Sequence, residues 1–466
     1  MASFQSWNKR GQAHALGLML GALGLSGLAA GAPVKPKPLL LGGPLVVEPS
    51  KLRIDPTLPT GSPIYRSWHA RRPAEFRACS WLRPVCVLGD GAAFSERAPR
   101  LLAELEQAYE RMVLAMRLPR PLLKSTRAND ESLDLYVSSD ISTFSAVLED
   151  RPLGVFDEAS IFCEAPLGMR PAEAATNCVA RAISMRLDAA GTPGVHEAFA
   201  GYLSLLTLGP TDATVQAVDD FQARPDLGLF SDASLGAAIG SLLVFDYLEA
   251  YSPGGPGLAA ASWLAASAGQ TPLAAWRFFD EPDIFDVLRH TFDEDDERFA
   301  SFSATFAQNR AFFGSGSRVG SGRGAAFAGS FGKVRFDWSI PASSLPRRVA
   351  SVRPLAPNGS IYVWLELDAW TNKDVLGFEA KWEEPAPFKW TLSKITKSGE
   401  MAGSVDLVLQ PKARSVQQRV VGLEGLAGVL VIGTNLGGIR KDQPFDPDVG
   451  PFEPHACTVY LARVPD

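Results

Sequence analysis

The chain contains little histidine. Only five of its 466 residues are His, and four of these lie beyond the first 32 residues, scattered over every region of the chain: His69, His196, His290 and His455. A catalytic zinc ion needs about three protein donors that converge on one point. The histidine content therefore leaves few ligands for such an ion.

Motifs of nucleophilic catalysis are missing as well. The sequence has no Gly-x-Ser-x-Gly motif and no pair of acidic residues that stands apart from ordinary surface acids, and the one Cys with a His close to it in the sequence is Cys457, two residues after His455. The common serine hydrolases are therefore not indicated. Glycosidases need only two carboxylates that are close in space, so the sequence leaves that class open.

Long basic runs are also absent. The 45 Lys and Arg residues are outnumbered by 51 Asp and Glu, which gives a net charge of -6. Because nucleic-acid binding depends on Lys and Arg that neutralise phosphates, this composition argues against a nucleic-acid partner. Apolar residues make up 46% of the chain, enough to bury the cores of two or three domains in a soluble globular protein.

The first 32 residues have the pattern of a secretory signal peptide. Lys9 and Arg10 precede an uncharged run from Leu16 to Leu28, and small residues follow at 29–32. This order predicts cleavage among the small residues. An uncleaved anchor is the alternative, although the run is shorter than the ~20 residues of a spanning helix. No later window is apolar enough to span a membrane, so we expect an extracytoplasmic protein, periplasmic or secreted.

Residues 174–208 form the strongest pattern in the chain, and they predict two helices joined by a tight turn. Gly191 is suited to ending the first helix, Thr192 to capping the second, and Pro193 to its first position. Apolar residues recur at helical spacing in both segments: Val179, Ala182, Ile183 and Leu187 in the first, and Val195, Phe199, Tyr202, Leu203 and Leu206 in the second.

This helix pair resembles the core of the gluzincin metallopeptidases. In that family the first helix carries His-Glu-x-x-His, and the next helix supplies a glutamate ligand, often within Asn-Glu-Gly-x-Ala. The second element corresponds to residues 196–200 here, His-Glu-Ala-Phe-Ala. The resemblance implies that Glu197, beside His196, occupies the position of the third zinc ligand.

The first element of the family is not conserved in this chain. Alignment of the apolar stripes puts Cys178, Val179 and Ala182 where the family has His, Glu and His. Two histidines four residues apart share a helix face and grip one ion, whereas Cys178 and Ala182 on that face do not, and Val179 cannot act as a base. The resemblance thus implies that zinc, and with it the peptidase chemistry, has been lost.

Glu197 has two interpretations. It is either a residual metal or substrate contact, which makes it a weak catalytic candidate, or a structural residue that caps a helix or pairs with an arginine such as Arg181. His196 and Glu197 are adjacent on a helix and point about 100° apart, which makes them poor joint ligands.

Five cysteines can oxidise outside the cytoplasm. Cys79 and Cys86 are close enough in sequence to form a local disulfide. In a zincin-like layout the strand that contains Cys163 runs along the cleft, so Cys163 is placed to reach Cys178, and Cys457 stays unpaired. Other pairings, and two separate buried thiols at 163 and 178, are open alternatives.

The order of elements predicts an α+β zincin-like domain followed by an all-β sandwich domain. After the signal peptide we expect a Pro-rich extension at 33–75, and then the zincin-like domain, a small sheet plus helices, at 76–313. Within it, residues 81–90 and 132–140 predict strands, 98–116 a helix, 159–166 an edge strand, and 234–252 with later segments a helical lower lobe. A Gly/Ser linker is predicted at 314–330 and the sandwich at 331–466, where seven short strands follow one another at about ten-residue intervals.

Three sets of residues in these later regions have a functional and a structural interpretation. The acidic run 293–297 suggests calcium but fits a solvated helix start better. The acidic residues Asp442, Asp446, Asp448 and Glu453 also suggest calcium, but the interleaved prolines favour an ordinary turn. Five tryptophans suit either a sugar-binding platform or, more commonly, a sandwich core: Trp338, Trp364, Trp370, Trp382 and Trp390.

Two functional hypotheses follow from the sequence. The first is an extracytoplasmic, non-catalytic metallopeptidase-like protein that acts as a binding or scaffold module for an envelope protein, a peptide or a glycan. It has no cofactor and no membrane span after removal of the signal peptide. The second is an active extracytoplasmic hydrolase, a peptidase or a glycosidase, whose site has no recognisable motif.

Overall fold

The computed structural model describes residues 65–66, 74–123, 132–150, 159–187, 193–231, 233–249, 296–313, 331–383, 387–407, 413–437 and 454–465. The predicted signal peptide, most of the extension at 33–75, the linker at 314–330, and the acidic loop at 442–453 lie outside these ranges. So do His69, His290 and the side chains of the acidic run at 293–297, although a helix does begin at Asp296.

The described helices are α1 (Gly91–Tyr109), α2 (Pro171–Leu187), α3 (Pro193–Leu208), α4 (Asp212–Ala223), α5 (Leu235–Gly240), α6 (Leu242–Glu249) and α7 (Asp296–Arg310). A π-helical turn continues α1 at Glu110–Ala115. None of the described helices combines the length and the apolar character needed to cross a membrane.

The chain divides into two compact units. The first contains the described residues up to 214 together with 241–249, and the second contains 215–240 and the described residues from 296 onward. This division differs from the predicted boundary at 314–330. Side chains of α4 and α7 explain why both segments group with the C-terminal region: Arg310 Nε donates to Gln222 Oε1 at 2.9 Å, and Gly332 N donates to Asp219 Oδ1 at 2.5 Å.

A six-stranded mixed sheet forms the centre of the first unit. Its strands are β1 (Tyr65–Arg66), β2 (Phe76–Cys79), β3 (Val85–Gly89), β4 (Leu133–Ser138), β5 (Ser145–Asp150) and β6 (Ser160–Pro166). They lie in the order β1-β5-β6-β4-β3-β2. Strands β3, β4 and β6 are parallel, β1 is parallel to β5, and β2 and β5 are antiparallel to β3 and β6.

The position of β6 corrects one prediction. Residues 159–166 were expected to form an edge strand, but β6 lies in the interior of the sheet because β5 pairs with its other side. The sequence of β6 is consistent with this position, since its residues from Ser160 to Ala165 are all buried. Strands buried on both faces have nearly continuous apolar sequences, as parallel strands of α/β sheets do.

Helices α1, α2, α3 and α6 pack in the first unit. The buried face of α1 follows the helical period, with Phe94, Leu101 and Leu105 no more than 1% exposed. Helix α3 packs between α2 and α6, and nearly every residue from Gly194 to Leu205 is buried. The Phe245 ring of α6 lies 5.4 Å from that of Phe199. A helix that is buried on all sides has little polar surface, and its few polar side chains therefore need partners.

The second unit is rich in β-strands. It contains β7 (Trp338–Pro341), β8 (Arg347–Ala350), β9 (Ser360–Glu366), β10 (Asp374–Trp382), β11 (Phe388–Thr396), β12 (Met401–Asp406), β13 (Ser415–Val420), β14 (Leu426–Asn435) and β15 (Cys457–Pro465). They form a four-stranded sheet, β13-β10-β15-β8, and a five-stranded sheet, β12-β11-β14-β9-β7. The β-rich C-terminal region that was predicted is present.

One hydrophobic core joins the two sheets. It takes residues such as Leu376 and Val459 from the four-stranded sheet and Val363 and Leu392 from the five-stranded sheet. The opposite face of the five-stranded sheet contributes Tyr362, Leu430 and Ile432 to a separate cluster with Ala307 of α7. The five-stranded sheet therefore buries apolar residues on both faces.

Three details of the second unit differ from the sequence prediction. Residues 333–340 were predicted as a strand, but β7 starts only at Trp338. Strands β8 and β10 were not predicted, although β10 pairs with both β13 and β15 over its length. Residues 234–252 were predicted as one helix, but the described part of this segment forms α5 and α6, which are separated at Ser241 and assigned to different units.

Candidate functional site

The candidate site is the helix pair α2 and α3 of the first unit, where the metallopeptidase resemblance is concentrated. Pro171 stands at the first position of α2 and Pro193 at the first position of α3, where a missing N–H costs no hydrogen bond. Cys178, Val179 and Ala182 are at most 2% exposed on α2, and His196 and Glu197 are at most 1% exposed on α3. All five predicted site residues thus lie in the core of the unit.

Glu197 forms a buried ion pair with Arg181. The Arg181 Nη2 atom lies 2.5 Å from Glu197 Oε2, and the two side chains are 2% and 1% exposed. Arg181 also donates from Nη1 to Asn177 Oδ1 at 2.6 Å, and its guanidinium lies 5.2 Å from the centre of the Phe144 ring. The interpretation that Glu197 pairs with Arg181 is therefore confirmed. A buried carboxylate held in this way stabilises the contact between the two helices through charge-assisted hydrogen bonds.

Cys178 forms a disulfide with Cys163. Their Cα atoms are 5.7 Å apart, and the bond ties β6 to α2. The second predicted disulfide is also present and joins Cys79 to Cys86, which face each other in the β2–β3 ladder. A thiolate binds a metal, whereas a disulfide sulfur has no charge to offer. Cys178 is therefore not a zinc ligand in this state.

The fifth cysteine, Cys457, is free and buried in the second unit. Burial raises the pKa of its thiol to about 12, against a smaller opposing effect from a hydrogen bond with Ser351. At neutral pH the side chain is therefore an uncharged thiol. Because thiolates rather than thiols are nucleophiles, this residue has the character of a small apolar core residue.

His196 contacts a serine that the sequence did not single out. Its Nδ1 atom lies 2.6 Å from Ser184 Oγ of α2, and both residues are completely buried. A serine hydroxyl at this distance from an imidazole has the geometry of a nucleophile with its general base. The only sequence signal for the pair was that Ser184 and His196 are polar residues within otherwise apolar helix faces.

Two buried acids lie on the sheet. Glu164 of β6 is completely buried and accepts a hydrogen bond from Ser145 Oγ at 3.3 Å. Asp134 of β4 is 1% exposed and accepts from Ser132 Oγ at 2.7 Å. Both were missed in the sequence, where each appears as a single carboxylate within an apolar strand. Within the described ranges, no group of three His, Cys, Asp or Glu side chains is placed to hold a metal ion.

The five tryptophans do not share one surface. Trp390, Trp370 and Trp382 pack in or against the core between the two sheets. Trp364 packs on the other face of the five-stranded sheet, where it stacks with Phe336. Two of the five are thus buried core residues, two are partly buried against opposite faces of the five-stranded sheet, and Trp338 is 36% exposed, so the five do not form one sugar platform.

Comparisons of the chain with models of known protein families, with curated proteins and with solved structures gave no match.

Proposed function

We propose that the first unit is a degenerate zincin-like domain and that the protein is a non-catalytic, extracytoplasmic binding or scaffold module. The observation that carries the proposal is the Arg181–Glu197 ion pair, in which the glutamate that would ligate zinc is neutralised inside the core. A metal ligand must offer its lone pairs to the ion, and a guanidinium competes for them directly.

The neighbouring donor positions support the same proposal. Cys178 is held in a disulfide, while Val179 and Ala182 are apolar and buried. Removal of zinc from an active zincin would leave its ligands as unpaired buried polar groups, which cost free energy. Here the corresponding positions carry a covalent bond, two apolar side chains and an ion pair. The former metal position would then be filled by interactions that stabilise the fold.

The disulfides are compatible with an extracytoplasmic location. Both pairs of cysteines that the sequence predicted are oxidised, and disulfides persist mainly outside the cytoplasm. Together with the predicted signal peptide, this finding favours a secreted or periplasmic protein that binds envelope material.

A peptidase assay tests the non-catalytic proposal. The purified full chain is incubated with zinc and a library of quenched fluorescent peptides, and we expect no hydrolysis above the buffer control. Hydrolysis that is abolished by Glu197→Gln but retained by Glu173→Gln would overturn the proposal. Glu173 is a suitable control because it lies in the first turn of α2, where its partner Arg170 is largely exposed.

The second candidate function is a serine hydrolase that uses the Ser184–His196 pair, because that contact has the geometry of an activated nucleophile. The complete burial of both side chains argues against it, since a substrate must reach the hydroxyl. A fluorophosphonate probe distinguishes the two candidates. Labelling of the native chain that disappears in Ser184→Ala would favour the hydrolase, whereas we expect no labelling at this serine.

A further inference from the structure

The four-stranded sheet of the second unit carries a polar groove on the face away from the core. Strand alternation separates the two faces: Leu376, Phe378 and Ala380 of β10 enter the core, so Gly377 and Glu379 lie on the opposite face. The groove measures about 420 Å³. Its walls and floor come from alternate residues of three strands, which include Gly377, Glu379, Gln417, Arg419, Tyr460 and Ala462.

The register of the strands explains the shape of the groove. Glu379 pairs with Gln417 on one side and Tyr460 on the other, which makes a row of polar and aromatic side chains across three strands. Gly377, in the next row, pairs with Arg419 and Ala462. Because Gly377 has no side chain and Ala462 has only a methyl group, the second row forms a floor beside the taller first row.

The glycine on this floor is not required by the fold. A Cβ atom at Gly377 would meet its nearest neighbour, Val464 Cγ1, at 3.5 Å, which is ordinary van der Waals contact, and the residue does not have a positive φ angle. Glycine weakens a strand, because it costs backbone entropy and has no side chain to pack. A glycine in a strand interior often marks a place where a ligand approaches the backbone closely.

The charges around the groove differ in sign from the chain as a whole. The chain has a net charge of -6. Glu379 is the acidic residue of the groove, and Lys381 Nζ lies 2.7 Å and Arg348 Nη2 3.9 Å from its carboxylate. Arg419 adds a third basic residue to this face. Among these described residues three basic side chains accompany one acidic one, and two of the three, Lys381 and Arg348, pair with its carboxylate. The remaining excess of positive charge favours an anionic ligand.

The mixture of donors and acceptors narrows the ligand class. A carboxylate has about four acceptor sites, so Glu379 can take hydrogen bonds from ligand hydroxyls in addition to those from Lys381 and Gln417. Arg419 donates to carboxylate or hydroxyl oxygens, and the Tyr460 ring, which has the Arg348 guanidinium 5.2 Å from its centre, adds an apolar surface. A ligand with acceptors alone, such as a polyphosphate, would repel Glu379. A ligand that carries both hydroxyls and carboxylates satisfies every group.

We infer that this groove binds a short acidic oligosaccharide, one built from uronic acids. The inference takes up the binding role in the proposed function, but it concerns the other unit and can fail without affecting the non-catalytic proposal. Sugar rings lie along the floor over Gly377 and Ala462 and contact the Tyr460 ring. Their hydroxyls donate to Glu379, and a carboxylate accepts from Arg419.

The test is isothermal titration calorimetry of the full chain with three linear tetrasaccharides. These are tetragalacturonate, tetramannuronate and a tetrasaccharide of hyaluronan, which contains glucuronic acid. We expect saturable 1:1 binding of at least one. Gly377→Val should abolish it, because the added methyl groups fill the floor, while the thermal midpoint stays within a few degrees since β-branched residues suit strands. Arg419→Gln should weaken binding by about tenfold, the effect of losing one charge-assisted hydrogen bond.

The matched control is Gly403→Val, in β12 of the five-stranded sheet, where a Cβ atom would meet nothing within 4 Å. It should leave binding unchanged. The methyl ester of the bound tetrasaccharide should bind more weakly, and tetraglutamate should not compete. Absence of binding to all three tetrasaccharides, full binding by Gly377→Val, or equal binding of tetraglutamate would overturn the inference. Equal binding of tetraglutamate would show that the groove binds acidic peptides instead of acidic sugars.

Discussion

Replacement of Glu197 and Arg181, singly and together, distinguishes a structural glutamate from a functional one. Both side chains are at most 2% exposed, and their charged atoms are 2.5 Å apart. Removal of one partner leaves the other charge buried and uncompensated, which costs about 3–5 kcal/mol. We therefore expect Glu197→Gln and Arg181→Met each to lower the free energy of unfolding by about this amount. In a unit of roughly 200 residues the thermal midpoint should fall by about 6–20 °C.

The double replacement Arg181→Met with Glu197→Leu removes both charges and leaves apolar side chains of similar size. Apolar replacements of buried ion pairs are often neutral or stabilising by about 1–4 kcal/mol, so the double variant should be far more stable than either single one. Circular dichroism during urea unfolding of the wild type, Arg181→Met, Glu197→Leu and the double variant gives the four free energies of a closed cycle and the coupling between the residues.

The sign of the change in the free energy of unfolding is decisive, because residues retained for function are often neutral or unfavourable for stability. A Glu197→Gln variant as stable as the wild type, or more stable, would refute a structural role for the ion pair. Coupling near zero between the two positions would do the same. A matched pair of replacements at Arg83 and Glu110, whose ion pair is partly exposed, should change stability by less than about 1 kcal/mol.

Three further predictions concern other parts of the chain. Cys163→Ser with Cys178→Ser should lower the free energy of unfolding by about 3 kcal/mol, the chain-entropy value for a loop of this length, and urea unfolding in the presence and absence of reductant measures it. Cys457 has a pKa raised to about 12, so its folded state keeps a proton that the unfolded chain, with a pKa of about 8.5, releases. Its contribution to stability is therefore complete below pH ~8.5 and lost as the pH rises toward 12. Thermal melts at a series of pH values should show this loss as part of the fall in the thermal midpoint, and Cys457→Val should remove that part. Gly433→Ala should destabilise the second unit by about 1–3 kcal/mol, because its Cβ would lie 2.4 Å from the Trp390 ring, and a melt unchanged from the wild type would contradict that packing.

The sequence predicted the parts of the first unit that depend on local pattern. Apolar residues at helical spacing identified α2 and α3, and Pro193 stands at the first position of α3 as predicted, whereas α2 begins at Pro171, three residues before the predicted segment. The two disulfides also followed from sequence distance and from the expected layout. These features could be predicted from the sequence because each depends on a few neighbouring residues or on chemistry that is specific to cysteine.

Features that depend on contacts between residues far apart in the chain could not be predicted from the sequence. Strand β10 carries Gly377, Glu379 and Lys381 on one face, and charged or small residues at these positions weaken the sequence signal of a strand. Strand β5 was missed, and β6 was consequently assigned to the wrong place in the sheet. The Ser184–His196 contact joins two helices and leaves no motif in either sequence.

The division into two units also depends on long-range contacts and could not be predicted from the sequence. Arg310 is fully buried and its pKa is lowered to about 10 by that burial, yet its hydrogen-bond partner Gln222 lies 88 residues earlier in the chain. The Gly/Ser-rich composition of residues 314–330 predicted a boundary, whereas the contacts made by α7 group it with the C-terminal strands. Composition reports local preference, and domain membership depends on long-range packing.

The zinc content of the full chain tests the central claim most directly. The protein is produced in zinc-supplemented medium, dialysed against buffer without chelator, and weighed by native mass spectrometry. Because Cys178 is oxidised and Glu197 is bound to Arg181, we predict the mass of the metal-free chain with two disulfides. A mass that contains one zinc ion per chain, and that loses the ion in Glu197→Gln, would contradict the claim that this helix pair has lost its metal site.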